Sequence, residues 1–352
     1  MSTAGTLTRR GLLGALALGL TATACGNQGY TGPARGLTIA AGEPGGFYIE
    51  FAELLAAEIR AEQPRLRATA VRTEGSLDNL RLLAEGKADL ALALADAAQA
   101  STSTAGPPAV PVPVPAPMPA PAPASTSVPA PNSVPAPNSV LAIGRVYENY
   151  LQLVVRADSA IAGLADLAGR TASLGASGSG AELTGERLLA AAGLGDRSGR
   201  PPVRVQHRQL ADAVAALEAG DIDALLWSGG VPTPALAALA ARRPIRLLPL
   251  DSAIPALRAT FGPVYEATTV PAGAYGPTAQ LATLGVANLL VCHPDADPAL
   301  TATVARVLVT HAARLVPQQA LGTQFLDPRS LIVTAGIPLH PGAVTAYRAL
   351  HG

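Results

Sequence analysis

Along the chain the hydrophobic pattern alternates between short apolar runs and stripes at helical spacing. Leu37 to Ala41 is a run of the strand kind, and the turn Gly42-Glu43-Pro44-Gly45-Gly46 ends it. Phe47, Phe51, Leu54, Leu55 and Ile59 then recur at helical spacing, with Glu50, Glu53, Glu58 and Arg60 largely on the other side. Pro64 stops that helix. Leu66 to Val71 alternates as a strand. Ser76 reads as an N-cap with Asn79 three residues on, Leu77, Leu80, Leu83 and Ala84 form a buried stripe, and Gly86 ends the helix. Asp89 to Leu94 is a buried strand with Asp96 at its C-terminal end.

The same rhythm returns further along. Leu141 to Val155 reads as an extended crossing segment and Ile161 to Leu167 as a short helix. Thr171 to Leu174 is a strand leading into Gly175-Ala176-Ser177-Gly178-Ser179-Gly180-Ala181-Glu182. Ser179 and Glu182 stand at capping-box spacing; Leu183, Leu188, Leu189 and Ala192 follow on the helix, and Gly193 stops it. Leu217-Glu218-Ala219-Gly220-Asp221-Ile222-Asp223 repeats the plan of Leu83-Ala84-Glu85-Gly86-Lys87-Ala88-Asp89: helix end, Gly, two residues, Asp, strand. After Trp227 comes a third Gly turn, Ser228-Gly229-Gly230-Val231-Pro232, then a helix from Thr233 to Ala241. Ile245 to Leu250 is a strand, Val264 to Ala274 is extended, and Leu284 to Cys292 crosses back, with Cys292 a buried inert thiol. Helices over Leu300 to Leu315 and Pro341 to Leu350 complete the pattern. Two halves on one plan predict two similar α/β lobes facing each other.

The Gly turns are where chemistry concentrates. Glycines let backbone N–H groups approach a ligand, and the helix N-termini behind them carry unpaired donors and partial positive charge. Such a joint serves equally as a plain turn or as an anion cradle, and the first one alone leaves both readings open. The second joint favours a pair of cradles at the strand C-termini, the edge where open α/β sheets bind ligands. Neither joint matches a known catalytic turn. Gly42, Gly45 and Gly46 do not give G-x-G-x-x-G, the second joint lacks the Gly-Lys-Ser/Thr of a P-loop, and G-x-S-x-G fails at Ser179.

Composition narrows the class. A net charge of zero over 352 residues argues against a nucleic-acid binder. Two cysteines exclude a disulfide framework and a CxxC metal site, and the five histidines form no HExxH pattern. No cofactor, metal or paired nucleophile and base is called for, so the reading is a binding protein rather than an enzyme. Ser101 to Ser139 is almost wholly Pro, Ala, Ser, Val and Thr and cannot build a core. It reads as a disordered surface loop inserted within one fold. At the start, Thr8-Arg9-Arg10-Gly11-Leu12-Leu13 is a basic region with paired arginines, an apolar stretch to Thr21 follows, and Ala22-Thr23-Ala24 precede Cys25. The order is that of an export signal of twin-arginine type, and the residues before Cys25 resemble a bacterial lipobox, which makes Cys25 the lipidation site.

Four motifs occur in order: Gly45-Gly46-Phe47-Tyr48, then Thr73-x-Gly75-Ser76-x-x-Asn79-Leu80, then Gly175-x-x-Gly178-Ser179-Gly180-x-Glu182, then Gly229-Gly230-x-Pro232. With Pro271-Ala272-Gly273-x-Tyr275 they resemble the TAXI family of solute-binding receptors, associated with tripartite ATP-independent periplasmic (TRAP) transport. The resemblance implies a two-lobed periplasmic-binding-protein fold of type II-like architecture with a ligand cleft. It implies small carboxylates as ligands, glutamate-like amino acids or dicarboxylates, and as partner a membrane permease or a membrane sensor, with the membrane reached through the lipid anchor alone. An α/β enzyme acting on a small carboxylate, or a lipoprotein used for protein interaction, are the alternatives. The expected organisation is signal 1–25, tether 26–35, first lobe 36–150 with the insert at 101–139, second lobe 151–285, and return to the first lobe over 286–352.

On this reading Gly45, Gly46, Phe47 and Tyr48 supply backbone donors and an aromatic wall, and Thr73, Ser76 and Asn79 supply side-chain bonds. Ser177, Ser179, Gly180 and Ala181 clamp a carboxylate from the other lobe. Asp96 pairs with a ligand ammonium, and Trp227, Gly229 and Gly230 line the far wall. Phe47 and Ala181 stand where the resembling family commonly has Thr, so two hydroxyls are missing from the expected carboxylate site.

Overall fold

The computed structural model describes residues 29–102, 140–195, 199–276, 279–318, 320, 326–327 and 329–351. The expected export signal with Cys25, and residues 103–139 of the Pro-rich stretch, lie outside the described residues.

The first lobe opens with β1 (Arg35–Ala40), α1 (Phe47–Glu62), β2 (Leu66–Val71), α2 (Ser76–Ala84), β3 (Leu90–Leu94) and α3 (Ala95–Thr102). β1 lies parallel between β2 and β3. β3, Leu-Ala-Leu-Ala-Leu, is buried at every position, as a central strand covered on both faces must be; it pairs parallel with β1 and antiparallel with the last strand. α1 turns Phe51, Leu55 and Ile59 onto the sheet, each fully buried and each worth about 1.5–3 kcal/mol by transfer from water. Its C-cap, Gln63, is followed by Pro64, which cannot continue the helix.

β4 (Leu141–Arg156) then runs into the second lobe. There follow β5 (Thr171–Ser173), α4 (Gly180–Ala191), β6 (Arg204–Gln206), α5 (Leu210–Ala219), β7 (Ala224–Gly229), α6 (Pro234–Arg242), β8 (Ile245–Leu248), α7 (Ile254–Phe261) and β9 (Tyr265–Val270). β10 (Leu281–Cys292) returns to the first lobe, where α8 (Pro298–Thr310) packs against α1, β4 and α9 (Pro341–His351). One sheet contains ten of these strands, in the order β2-β1-β3-β10-β4-β7-β5-β6, with β8 beside β4 and β9 beside β10.

The two long strands make the architecture two-lobed. β10 pairs antiparallel with β9 over Leu281–Val286 and with β3 over Asn288–Cys292. β4 pairs with β10 over Leu141–Tyr150 and with β7 from Tyr150 onward. Each strand therefore belongs to both lobes, and positions 150 and 285 fall inside them. The β4–β10 ladder slips register between Asn288 and Leu289 and between Leu290 and Val291, which marks bulges at the crossing. Cys292 is fully buried here, and burial pushes its thiol up to about 12. Among the described residues no helix is long and apolar enough to cross a membrane.

Several local expectations change. Residues 161–167 form only a single 3-10 turn, Leu164–Leu167. α3, β6 and α7 carry too little periodicity to be read from the sequence, and α3 takes in Ser101 and Thr102, whose hydroxyls bond back to Ala98 O and Gln99 O. The stretch read as a tether is docked at its end: Tyr30 is buried and its N–H donates to Gln63 Oε1 at 2.9 Å. Ser76 is not the cap of α2. Gly75 is, with φ +119°, and Ser76 is the first helical residue.

Candidate functional site

Between the lobes lies a cavity of about 50 Å³ walled by both Gly-rich joints. Cross-lobe bonds at its rim, from Leu210 N to Glu43 and from Leu77 N and Asp78 N to the Gly178 carbonyl, hold the lobes closed over it.

The first joint enters from the β1–α1 turn. α1 has Gly46 as N-cap, which offers its first turn no side-chain acceptor. Phe47 is buried and reaches across to the second lobe. A Cβ at Gly230 would stand 2.0 Å from its ring, so only glycine admits this contact. Tyr48 OH and Ser76 Oγ share a hydrogen bond of 3.1 Å, and Ser76 Oγ accepts from Leu94 N at 3.1 Å. Burial raises the Tyr48 hydroxyl well above its ordinary value.

The second joint enters from the β5–α4 turn. Ser179 caps α4 by accepting from Glu182 N at 3.1 Å. Glu182 Oε2 accepts from Gly178 N at 2.6 Å, one residue earlier than a capping box would have it. The Gly178 carbonyl turns to the first lobe and accepts from Leu77 N and Asp78 N, both at 3.0 Å. The N-terminus of α2 is thus closed by a backbone oxygen of the other lobe. A Cβ at Gly180 would stand 2.6 Å from both Leu94 Cδ1 and Ser76 Oγ, a second place where glycine lets the lobes meet.

Two acids bridge the cleft. Glu43 Oε2 accepts from Leu210 N, the first helical residue of α5, at 2.7 Å. This is the favourable end of a helix for a carboxylate. Burial nonetheless pushes Glu43 up to about 7; the Leu210 bond opposes the shift, and Glu74 and Asp212 add to it. Glu74 accepts from Gln209 Nε2 with both oxygens at 3.0 Å.

The expected residues fall into three groups. Gly46, Phe47, Tyr48, Ser76, Ser179, Gly180, Ala181, Trp227 and Gly229 line the cavity together. Gly230 lies behind Phe47. The rest stand elsewhere. Gly45 and Ser177 are solvent-exposed. Thr73 and Asn79 are structural: Asn79 Nδ2 donates to Ala41 O at 2.5 Å and Leu92 O at 2.7 Å, and its Oδ1 accepts from Thr73 Oγ1 at 2.5 Å. This ties the loop after β1 to β3 and leaves neither amide nor hydroxyl for a ligand. Asp96 is fully buried in a clasp between lobes. Its Oδ2 accepts from Thr184 Oγ1 at 2.9 Å and Tyr265 OH at 3.2 Å, with Arg187 Nη1 at 3.7 Å. Burial raises its carboxyl, and Arg187 opposes this.

Glu43, Glu74, Leu94, Asn149 and Ser228 line the cavity without having been singled out. Asn149 had a legible signal, a polar residue in the middle of an apolar crossing strand. It is held by Asn288 Nδ2, which donates to its Oδ1 at 2.7 Å, and it donates to Ser228 O at 3.2 Å. Glu43 and Ser228 lie in the first and third Gly turns, where attention went to the glycines.

Residues 135–349 match the NMT1-like family. The chain belongs to the NMT1-like family. Solved structures similar to it include the alkanesulfonate-binding protein SsuA from Xanthomonas axonopodis pv. citri bound to MOPS, at 18% identity over 90% of this chain and 84% of that one, TM-score 0.46. The periplasmic aliphatic sulphonate binding protein SsuA from Escherichia coli is 16% identical over 90% and 83%, TM-score 0.46. A putative L-cystine ABC transporter from Listeria monocytogenes is 13% identical over 78% and 89%, TM-score 0.44. The match of this NMT1-like chain to its family starts in the segment leading to β4, so it includes the second joint and Trp227 but not the first joint.

Proposed function

We propose that this NMT1-like protein is an extracytoplasmic solute-binding receptor that closes two lobes over a small organic ligand. The observation that carries the proposal is the cavity walled by two strand-to-helix joints, one from each lobe, with cross-lobe bonds at its rim. A hinge built on two shared strands fits such closure, since small changes in β4 and β10 swing whole lobes. Residues 36–150 with 286–352 would move against 151–285.

The finer reading is a TAXI-type receptor serving a TRAP-type permease or a membrane sensor, tethered through Cys25. The ordered motifs and the export-signal pattern support it. The ligand on this reading is a small carboxylate, a glutamate-like amino acid or a dicarboxylate. α4 supports a carboxylate site, since Gly180 and Ala181 lie in its first turn and on the cavity wall.

Calorimetric titration of the purified mature chain with amino acids and dicarboxylates, paired with small-angle scattering, tests the proposal. Stoichiometric binding without turnover, with a more compact particle on binding, is the expected result. Absence of binding to every carboxylate would sink the ligand class. Mass spectrometry of the processed N-terminus, with and without globomycin, tests lipidation at Cys25.

A further inference from the structure

The cavity wall contains two acids and no base. Among the described residues that line it, none is Lys, Arg or His, while Glu43 and Glu74 are both present. A dicarboxylate would meet negative charge without a cation to pair with. Three aromatic rings, Phe47, Tyr48 and Trp227, close around the same space. Aromatic faces attract ammonium and quaternary nitrogen and offer nothing to a bare carboxylate.

One donor stands waiting. Trp227 is 7% exposed, and its Nε1 has no hydrogen-bond partner. The ring bridges the lobes: its far edge lies by Gly46 of the first joint, and its Nε1 edge lies over Gly229. An indole N–H buried on a cavity wall is satisfied by an acceptor on whatever fills the cavity. The first turn of α4, at Gly180 and Ala181, faces the same space with the partial positive end of the helix.

Resting on the receptor reading, the geometry points to a compact zwitterion as the ligand: an ammonium or quaternary nitrogen against Glu43 and the aromatic rings, and a carboxylate on Trp227 Nε1 and the start of α4. Asp96 sits in its clasp with Thr184, Tyr265 and Arg187, off the cavity wall, so Glu43, which is on that wall, takes the role of cation partner. A cavity of about 50 Å³ selects a small ligand, the size of glycine, alanine or glycine betaine.

The test is calorimetric titration of the mature chain at pH 8 with glycine, L-alanine, glycine betaine, acetate and succinate, on the parent, Glu43→Gln and Trp227→Phe. Glu43→Gln keeps an acceptor for Leu210 N, and Trp227→Phe keeps an aromatic ring, so both fold; a thermal melt verifies it. The expected result is that a zwitterion binds at least tenfold tighter than acetate or succinate. Glu43→Gln then weakens it tenfold or more, and Trp227→Phe weakens it several-fold. Succinate binding tighter than every zwitterion, with Glu43→Gln neutral or tightening, overturns the inference and leaves the receptor reading standing. A folded parent that binds no member of the set also overturns the inference.

Discussion

The two strand-to-helix joints look alike in sequence and are used in opposite ways. The first, Gly42 to Tyr48, leaves α1 without a side-chain cap and sends its groups outward. Phe47 lies against Gly230, and Glu43 caps α5 of the other lobe. The second, Gly175 to Glu182, satisfies itself. Ser179 caps α4, Glu182 holds Gly178 N, and only the Gly178 carbonyl is lent across the cleft. One jaw reaches and the other receives. What differs is where the polar side chains sit: Ser179 and Glu182 bracket their own helix start, whereas Glu43 sits early in its turn, ahead of α1, and reaches across to Leu210.

The largest expected effect comes from breaking the contact the first joint makes. Gly230→Ala puts a methyl group onto the Phe47 ring, which is buried and cannot yield. Overpacking of this kind costs about 3 kcal/mol, all of it against the closed form. Ligand affinity in calorimetry should fall roughly a hundredfold, with scattering showing a more open particle. An unchanged affinity would mean that Phe47 plays no part in closure.

Next is the pH dependence of Glu43. Its folded value of about 7 lies above the ordinary 4.5. Between those values the folded protein holds a proton the unfolded chain has lost, so this group lowers stability as pH rises, by about 2–3 kcal/mol once pH passes 7. Urea unfolding of the parent against Glu43→Gln, from pH 4.5 to 8, should show the parent losing ground to the variant by that amount. Parallel curves would show that the carboxyl titrates normally.

Ser179→Ala is a smaller change confined to the self-satisfied joint. Loss of an N-cap should cost ~1 kcal/mol of stability by denaturant midpoint, with ligand affinity nearly unchanged. A large loss of affinity would make Ser179 a ligand contact in its own right. Gln209→Ala removes the exposed bond to Glu74 and should cost only about 0.5 kcal/mol. An effect near that of Gly230→Ala would move the principal latch from Phe47 to this rim.

Much of the fold was legible because burial imposes a period. β3 is apolar throughout, β4 is buried along nearly its whole length, and α1 repeats its apolar face, so solvent exclusion wrote them into the sequence. α3 and α7 escaped notice because they are short, and Ala-rich or Pro-started, with little contrast between faces. The site was partly legible. The glycines and Trp227 announced themselves, but Asn79 and Asp96 show the limit. A polar residue at a strand's ligand edge reads the same whether it meets a ligand or a buried backbone carbonyl, and only the fold decides which partner arrives.

The sequence by itself determined the alternation of strand, Gly turn and helix, the two-lobed plan, and the long segments that cross between lobes. Each follows from local propensity and from the period with which apolar residues must face a core. The tertiary structure decided which joint reaches and which receives, that Glu43 and not Asp96 stands on the cavity wall, and that Gly230 exists to admit Phe47. Those are contacts between residues far apart in the chain, and no local pattern encodes the partner that folding brings across the cleft.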